Sequence, residues 1–344
     1  MRRTLRAPVW VRRRSSVWRT TCRGCPNHRS GGSTADRHRA SRPPRAGPRG
    51  TALSSSTVER VLVGLIGSGL SRSLTPLMHE TEGARLGLDS EYRLLDLDAL
   101  GRPATDLPAV LDEVQAQGFA AVNVTHPCKQ AVMPLLDELD PDAARIGAVN
   151  LVVFRDGRRI GHNTDWLGFR IAIERGPGSV AGAAVVQFGA GGAGAAIAYA
   201  LVSLGVARLT IVDADADRAE GLRVSLGSDV VDTVALDDVP SVLAQADGAV
   251  NATPLGMNDD GRAAFDPSVL PAQAWVADAV YFPIDTPLLR AARAAGRRTV
   301  DGGWMAVGQA VASIREITGR SPDLDRVRVD FIGFLRDGRI AGSR

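Results

Sequence analysis

A continuous apolar run, Ala183 to Phe188, leads directly into Gly189-Ala190-Gly191-Gly192-Ala193-Gly194 and then into a helix of small residues, Ala195 to Leu204. No other stretch narrows the fold so far. An uninterrupted apolar strand of this kind is buried on both faces, as in a parallel sheet. The glycines fall at G-x-G-x-x-G spacing, and Asp213 stands 24 positions beyond Gly189, at the end of the next strand, Leu209 to Val212. Gly189 permits the tight turn, Gly191 lets backbone approach a pyrophosphate, and Gly194 lets helix and strand pack closely. The helix N-terminus adds N–H donors and partial positive charge. Strand, turn and helix together therefore predict a dinucleotide site of the Rossmann type.

Alternation continues on both sides of this unit. Strands are predicted at Val61 to Ile66, Tyr92 to Leu95, Ala120 to Val124, Ala148 to Phe154, Gly248 to Val250 and Val276 to Ala279. Helices are predicted from Pro76 through Leu86, over Ala109 to Gln117, over Gln130 to Leu139 and over Met305 to Ile317, before a polar end. Such alternation argues an α/β fold with parallel strands.

Charge is divided unevenly along the 344 residues. Residues 1–57 contain 14 Arg and one acid, Asp36, which leaves 27 basic and 37 acidic residues for 58–344. The body is thus acidic, which opposes a nucleic-acid role. The leading stretch lacks apolar periodicity and is expected to be disordered; a targeting segment, a basic tail and an upstream extension from a misassigned start remain open. Deleting it is expected to leave turnover unchanged. No run approaches the roughly 20 apolar residues of a membrane helix, so no membrane partner is expected and a cytoplasmic location is. Cys22 and Cys25 form a lone C-x-x-C without a second pair, and Cys128 stands alone, so neither a metal site nor a disulfide framework is expected.

Lysine occurs once among 40 arginines, at Lys129 in Asn123-Val124-Thr125-His126-Pro127-Cys128-Lys129. Arginine supplies charge but cannot release its proton, whereas a lysine amine can be tuned for general acid/base work. Four of the six asparagines, Asn123, Asn150, Asn163 and Asn251, sit at predicted strand ends or the adjoining turns, where open α/β sheets bind ligands. Their amides are placed to meet a polyhydroxylated small molecule. Asp165 follows Asn163-Thr164 and offers Lys129 a carboxylate partner.

Ser73-Leu74-Thr75-Pro76, the Asn123 to Lys129 segment, Gly147-Ala148-Val149-Asn150, Asn163-Thr164-Asp165, the glycine loop, Asn251-Ala252-Thr253-Pro254-Leu255-Gly256-Met257 and Gln309 together resemble the shikimate dehydrogenase family, in order and spacing. The likeness spans about residues 60–335. It implies a substrate-binding α/β domain over 58–164, a Rossmann domain over 165–301 and a C-terminal helical segment, 302–344, returning to the first domain. It also implies that Lys129 exchanges a proton with the reacting hydroxyl, with Asp165 as partner. Ser73, Thr75 and Tyr281 would hold a substrate carboxylate, and Asn123, Thr125, Asn150 and Gln309 ring hydroxyls. Thr253, Pro254, Gly302 and Met305 would border the nicotinamide.

The cofactor reading rests on Asp213, which accepts from ribose hydroxyls and repels the 2′-phosphate of NADP. Asp213-Ala214-Asp215 replaces the Asn-Arg-Thr found in NADP-using members, while Arg218 matches their second arginine. NAD is expected, with NADP as the alternative. Thr75, His126 and Asp213 make the chain similar to the NAD-linked quinate/shikimate branch. The biosynthetic NADP-dependent enzyme and a non-catalytic ligand-binding relative stand as alternatives, and a monomer or homodimer is expected.

Overall fold

The computed structural model describes residues 59–339; the arginine-rich stretch, with Cys22 and Cys25, lies outside the described residues. The strands are β1 (Glu59–Gly67), β2 (Leu88–Asp96), β3 (Ala121–Val124), β4 (Glu138–Leu139), β5 (Leu151–Arg155), β6 (Arg158–His162), β7 (Ala184–Phe188), β8 (Arg208–Val212), β9 (Val231–Thr233), β10 (Gly248–Asn251), β11 (Trp275–Asp278) and β12 (Arg298–Val300). The helices are α1 (Thr75–Arg85), α2 (Leu107–Ala116), α3 (Cys128–Ala131), α4 (Pro141–Ile146), α5 (Asp165–Arg175), α6 (Gly192–Ser203), α7 (Ala216–Leu226), α8 (Val239–Leu243), α9 (Pro287–Ala294), α10 (Gly302–Thr318) and α11 (Leu324–Arg336). No helix among the described residues is long and apolar enough to cross a membrane.

Two six-stranded sheets result. The second has the order β12-β11-β10-β7-β8-β9 and is parallel throughout. This is the doubly wound arrangement whose order reverses between β7 and β10, which is where dinucleotides bind. The first sheet, β2-β1-β3-β5-β6-β4, corrects the all-parallel expectation: β3 with β5 and β5 with β6 run antiparallel. The cause is local. Asp156 and Gly157 take positive φ angles of 53° and 76°, forming a two-residue hairpin turn that sends β6 straight back along β5.

Two other expectations need correction. The helix expected over Gln130 to Leu139 ends after one turn at Ala131; Pro134 sits in the short turn that follows, and Glu138–Leu139 pairs with β6 instead. The end of the chain, read as polar, carries α11, whose Val327, Phe331 and Phe334 pack on Leu74 and Met78 of the α1 region and on Ala306, Val307, Ala310 and Val311 of α10. Two helices, not one, return to the first sheet. Glu82 of α1, 1% exposed, pins α11 by accepting from the Arg326 guanidinium and the Asp323 N–H.

The sheets are joined through a close helix pair, α5 leading outward and α10 leading back. A methyl group on Gly168 of α5 would lie 2.4 Å from the Met305 carbonyl oxygen, and one on Gly308 of α10 would lie 2.7 Å from the Gly168 Cα. Backbone therefore meets backbone. Gly168→Ala is expected to lower the unfolding free energy by about 1–3 kcal/mol, the usual cost of forcing a methyl into a filled space. Because α5 begins at Asp165, kcat should fall with it; denaturant unfolding together with initial rates checks both.

Candidate active site

Lys129 and Asp165 meet between α3, which follows β3 of the first sheet, and the start of α5. The β3 strand ends at Val124, and the turn that follows brings Lys129 onto α3, with the Lys129 carbonyl accepting from the Val149 N–H at 2.9 Å. Asp165 is the first residue of α5, and its carboxylate Oδ2 lies 2.5 Å from the Lys129 Nζ. Its other oxygen accepts from the Asn150 amide at 2.9 Å. Asn150 is held in turn: its carbonyl accepts from the Thr164 N–H, and its amide also donates to the Thr164 hydroxyl. A carboxylate fixed from two sides, with an amine on one of them, is a preorganised proton-handling pair.

The four asparagines lie at strand ends as expected, but their amides are turned inward. Asn123, Asn150, Asn163 and Asn251 are 3%, 3%, 4% and 0% exposed. Asn123 donates to the Asn150 carbonyl and the Ser313 hydroxyl and accepts from the Tyr92 hydroxyl. Asn163 donates to the Ala148 carbonyl and accepts from the Asp165 N–H. Neither Tyr92 nor Ser313 was expected in this network; each lies far in sequence from its partner, and pairings of that kind leave no trace in spacing.

The remaining expected residues are placed by the elements that carry them. Thr75 opens α1, and the Ser73 hydroxyl accepts from the Thr75 N–H at 3.3 Å. Thr125 is half-buried with its methyl against Gly67. Gln309 lies on α10 beside Gly168, one turn along α5 from Asp165. Burial pushes the Tyr281 phenol above its ordinary range, and the negative charge of Asp165 adds to this.

The glycine loop has the geometry its spacing requires. Gly189 has φ 100° and lies against Ala252, and a methyl on Gly194 would be 2.2 Å from the Gly189 carbonyl oxygen. At Gly191 a methyl would meet nothing within 4 Å, which leaves open space at the N-terminus of α6, with Ala193 in the first turn, for a pyrophosphate. Gln187, buried in β7, braces the loop by donating to the Gly189 and Gly194 carbonyls. Asp213 accepts from the Ala190 N–H at 2.8 Å and the Asp215 N–H at 3.0 Å. Arg218 is held by Asp213 at 3.5 Å and by Asp215 at 3.2 Å. The loop thus fits a dinucleotide, with the ribose end lined by acids. On the far side of the switch point, Gly302 abuts the Ala279 carbonyl and Met305 is buried at the start of α10. Lys129 joins the two regions: a methyl on Gly192 would be 3.3 Å from the lysine Cδ.

A buried acid not expected from the sequence organises the turns after β10 and β11. Asp278, 2% exposed at the end of β11, accepts from the Asn251 amide, the Val280 N–H and the Thr286 hydroxyl. Asn251 also accepts from the Thr253 N–H and hydroxyl, which fixes the turn into Pro254. Burial is the main influence on the Asp278 carboxyl and raises it to about 6, against those hydrogen bonds. The folded protein therefore holds this proton more tightly than the unfolded chain. The resulting stability is present below the unfolded value of 3.8 and is lost as pH rises through about 6. Asp278→Asn should accordingly gain up to about 3 kcal/mol relative to wild type between about pH 4 and pH 7. Denaturant unfolding of both proteins across that range tests this, and a pH-independent difference would refute it.

Family comparisons agree with this geometry. The shikimate dehydrogenase substrate binding domain matches residues 65–152, and the shikimate / quinate 5-dehydrogenase domain matches 171–255. The chain is 47% identical over 282 residues to the shikimate dehydrogenase (NADP(+)) of Arthrobacter sp. strain FB24, covering 81% of this chain and 96% of the relative. It is 46% identical over 279 residues to the quinate/shikimate dehydrogenase (NAD(+)) of Corynebacterium efficiens, covering 80% and 98%. Among solved structures, quinate dehydrogenase from Corynebacterium glutamicum in complex with NAD superposes with a TM-score of 0.75 at 46% identity, covering 80% of this chain and 99% of that one. With the fold, the motifs and these matches in agreement, the chain belongs to the shikimate/quinate dehydrogenase family.

Proposed function

We propose that this protein transfers hydride between NAD and a ring hydroxyl of quinate and shikimate, interconverting them with 3-dehydroquinate and 3-dehydroshikimate. The observation that carries the reading is the Lys129–Asp165 pair at 2.5 Å, with the lysine stem packed on Gly192 of the dinucleotide loop. An acid/base group and a nucleotide cradle share one wall.

A bound nicotinamide supplies the hydride acceptor. Removing hydride from a secondary alcohol builds carbonyl character, and loss of the hydroxyl proton to the Lys129 Nζ avoids a protonated carbonyl. Asp165 orients that amine, while Ser73, Thr75 and Tyr281 hold the carboxylate end of the ring. Gln309 and Thr125 line the hydroxyl-bearing side; Asn123, whose oxygen accepts from Tyr92 alone among the described residues, keeps one lone pair for a ring hydroxyl, whereas the Asn150 oxygen is taken by the Thr164 N–H and hydroxyl, so Asn150 acts by holding Asp165. The acids at the ribose end favour NAD, because Arg218 is engaged by Asp213 and Asp215 instead of being free for a 2′-phosphate.

Relatives of both cofactor types are equally close, so identity alone does not choose between them. Initial rates with quinate and shikimate, each against NAD and NADP, decide it. Oxidation of both acids with NAD is expected. Activity confined to shikimate and NADP would replace this reading with the biosynthetic one.

A further inference from the structure

Arg72 makes no ion pair among the described residues, yet it is not loose. Its guanidinium stacks over the Phe282 ring, 5.0 Å from the centroid, and one nitrogen donates to the Asn258 side-chain carbonyl at 3.5 Å. Arg72 sits in the turn after β1, on the first sheet, whereas Phe282 and Asn258 lie on loops that follow strands of the second. The side chain therefore bridges the turn after β1 of the first sheet and the loops after β10 and β11 of the second. Nearby acids do not claim it: Asp260 is held by Arg262 and the Gly256 N–H, and Asp259, beside Asn258, makes no ion pair with it.

Its flanking residues are informative. Ser73 follows Arg72, and Tyr281 precedes Phe282, so two of the three groups assigned to a carboxylate stand beside the ends of this bridge. A guanidinium offers five N–H donors in a planar fork, and here one is used within the protein. Stacking on Phe282 orients the plane and leaves an edge of donors for a planar anion. Lys129 is bound to Asp165.

We propose that Arg72 binds the substrate carboxylate, closing the cleft over it and selecting free acids over uncharged analogues. This rests on the hydroxy-acid reading above. With the anion in place, Ser73, Thr75, Tyr281 and Arg72 surround it, and both halves of the cleft hold the same group.

The test compares shikimate and quinate with their methyl esters in wild type, Arg72→Gln and Arg72→Lys. A charge-assisted contact predicts that Arg72→Gln lowers kcat/KM for the acids about 10- to 100-fold, mostly through KM. The esters should change less than about threefold, and Arg72→Lys, which keeps charge but loses the fork, should fall between. Equal losses for acid and ester, or none for either, would overturn the assignment. Were wild type to turn over neither acid, the function reading would fail separately. Calorimetric binding of shikimate and its ester to wild type and Arg72→Gln would still test Arg72: unequal weakening upholds the contact, and equal affinities refute it.

Discussion

Lys129→Arg is expected to lower kcat by about 10² to 10⁴, nearly as far as Lys129→Ala, while substrate affinity changes much less. The arginine variant keeps a cation beside Asp165 but loses a group able to give up its proton. Initial rates and binding measurements separate the two effects. Asp165→Asn should also slow turnover, for a reason the structure makes specific. Asp165 takes a proton-bearing partner on each oxygen, Lys129 on one and Asn150 on the other. An amide cannot accept on both sides, so Asn150 or Lys129 is left facing a donor. Near-normal kcat in Lys129→Arg would reduce the lysine to an orienting charge and pass the proton to another group.

The second large effect concerns the cofactor. A like-charge pair 4 Å apart at an effective dielectric near 20 costs on the order of 4 kcal/mol, less once solvent screens it. Wild type should therefore prefer NAD clearly, and Asp213→Asn with Ala214→Arg should move the preference toward NADP by about 10²-fold or more. The same carboxylate accepts from Ala190 and Asp215, and an asparagine cannot satisfy both N–H groups. The variant should consequently lose kcat/KM with NAD and also show a less stable glycine loop. A ratio of kcat/KM values for the two cofactors, measured in both proteins, checks the shift; wild type working better with NADP would reject the assignment.

The nucleotide half was legible because its signals are local. Ala184–Phe188, the glycine loop and Asp213 carry their structure within thirty or so consecutive residues, and β7, α6 and β8 appear within a residue or a few of expectation. Lys129 and Asp165 were legible as chemistry, through a lone lysine and a neighbouring acid, although 36 positions separate them. What was missed fails for identifiable reasons. Pro134 breaks the helix expected to reach Leu139, and Asp156-Gly157 is a hairpin signal that overrides the parallel strand order expected from alternation. In α11 the apolar Val327, Phe331 and Phe334 recur at helical spacing but are diluted by arginines and aspartates. Asp278 and Gln187 could not have been singled out, because what distinguishes them is complete burial against partners fixed by the tertiary fold. The asparagines show the same limit differently: position at a strand end is a sequence property, but the direction of an amide is not.

The backbone contact between α5 and α10 bears on how such enzymes can be recombined. The nucleotide-binding half is inserted between these two helices, which suggests an exchangeable cassette with seams in the flanking loops. Gly168 and Gly308 argue for seams elsewhere. A donor cassette that brings its own α10 must present a notch where this α5 presents one, or the helices separate by the thickness of a methyl group. Asp165 heads α5, so any such misfit is delivered to the proton-handling pair instead of being absorbed at the graft. Chimaeras in which α5 and α10 come from the same parent are therefore the ones expected to keep their chemistry.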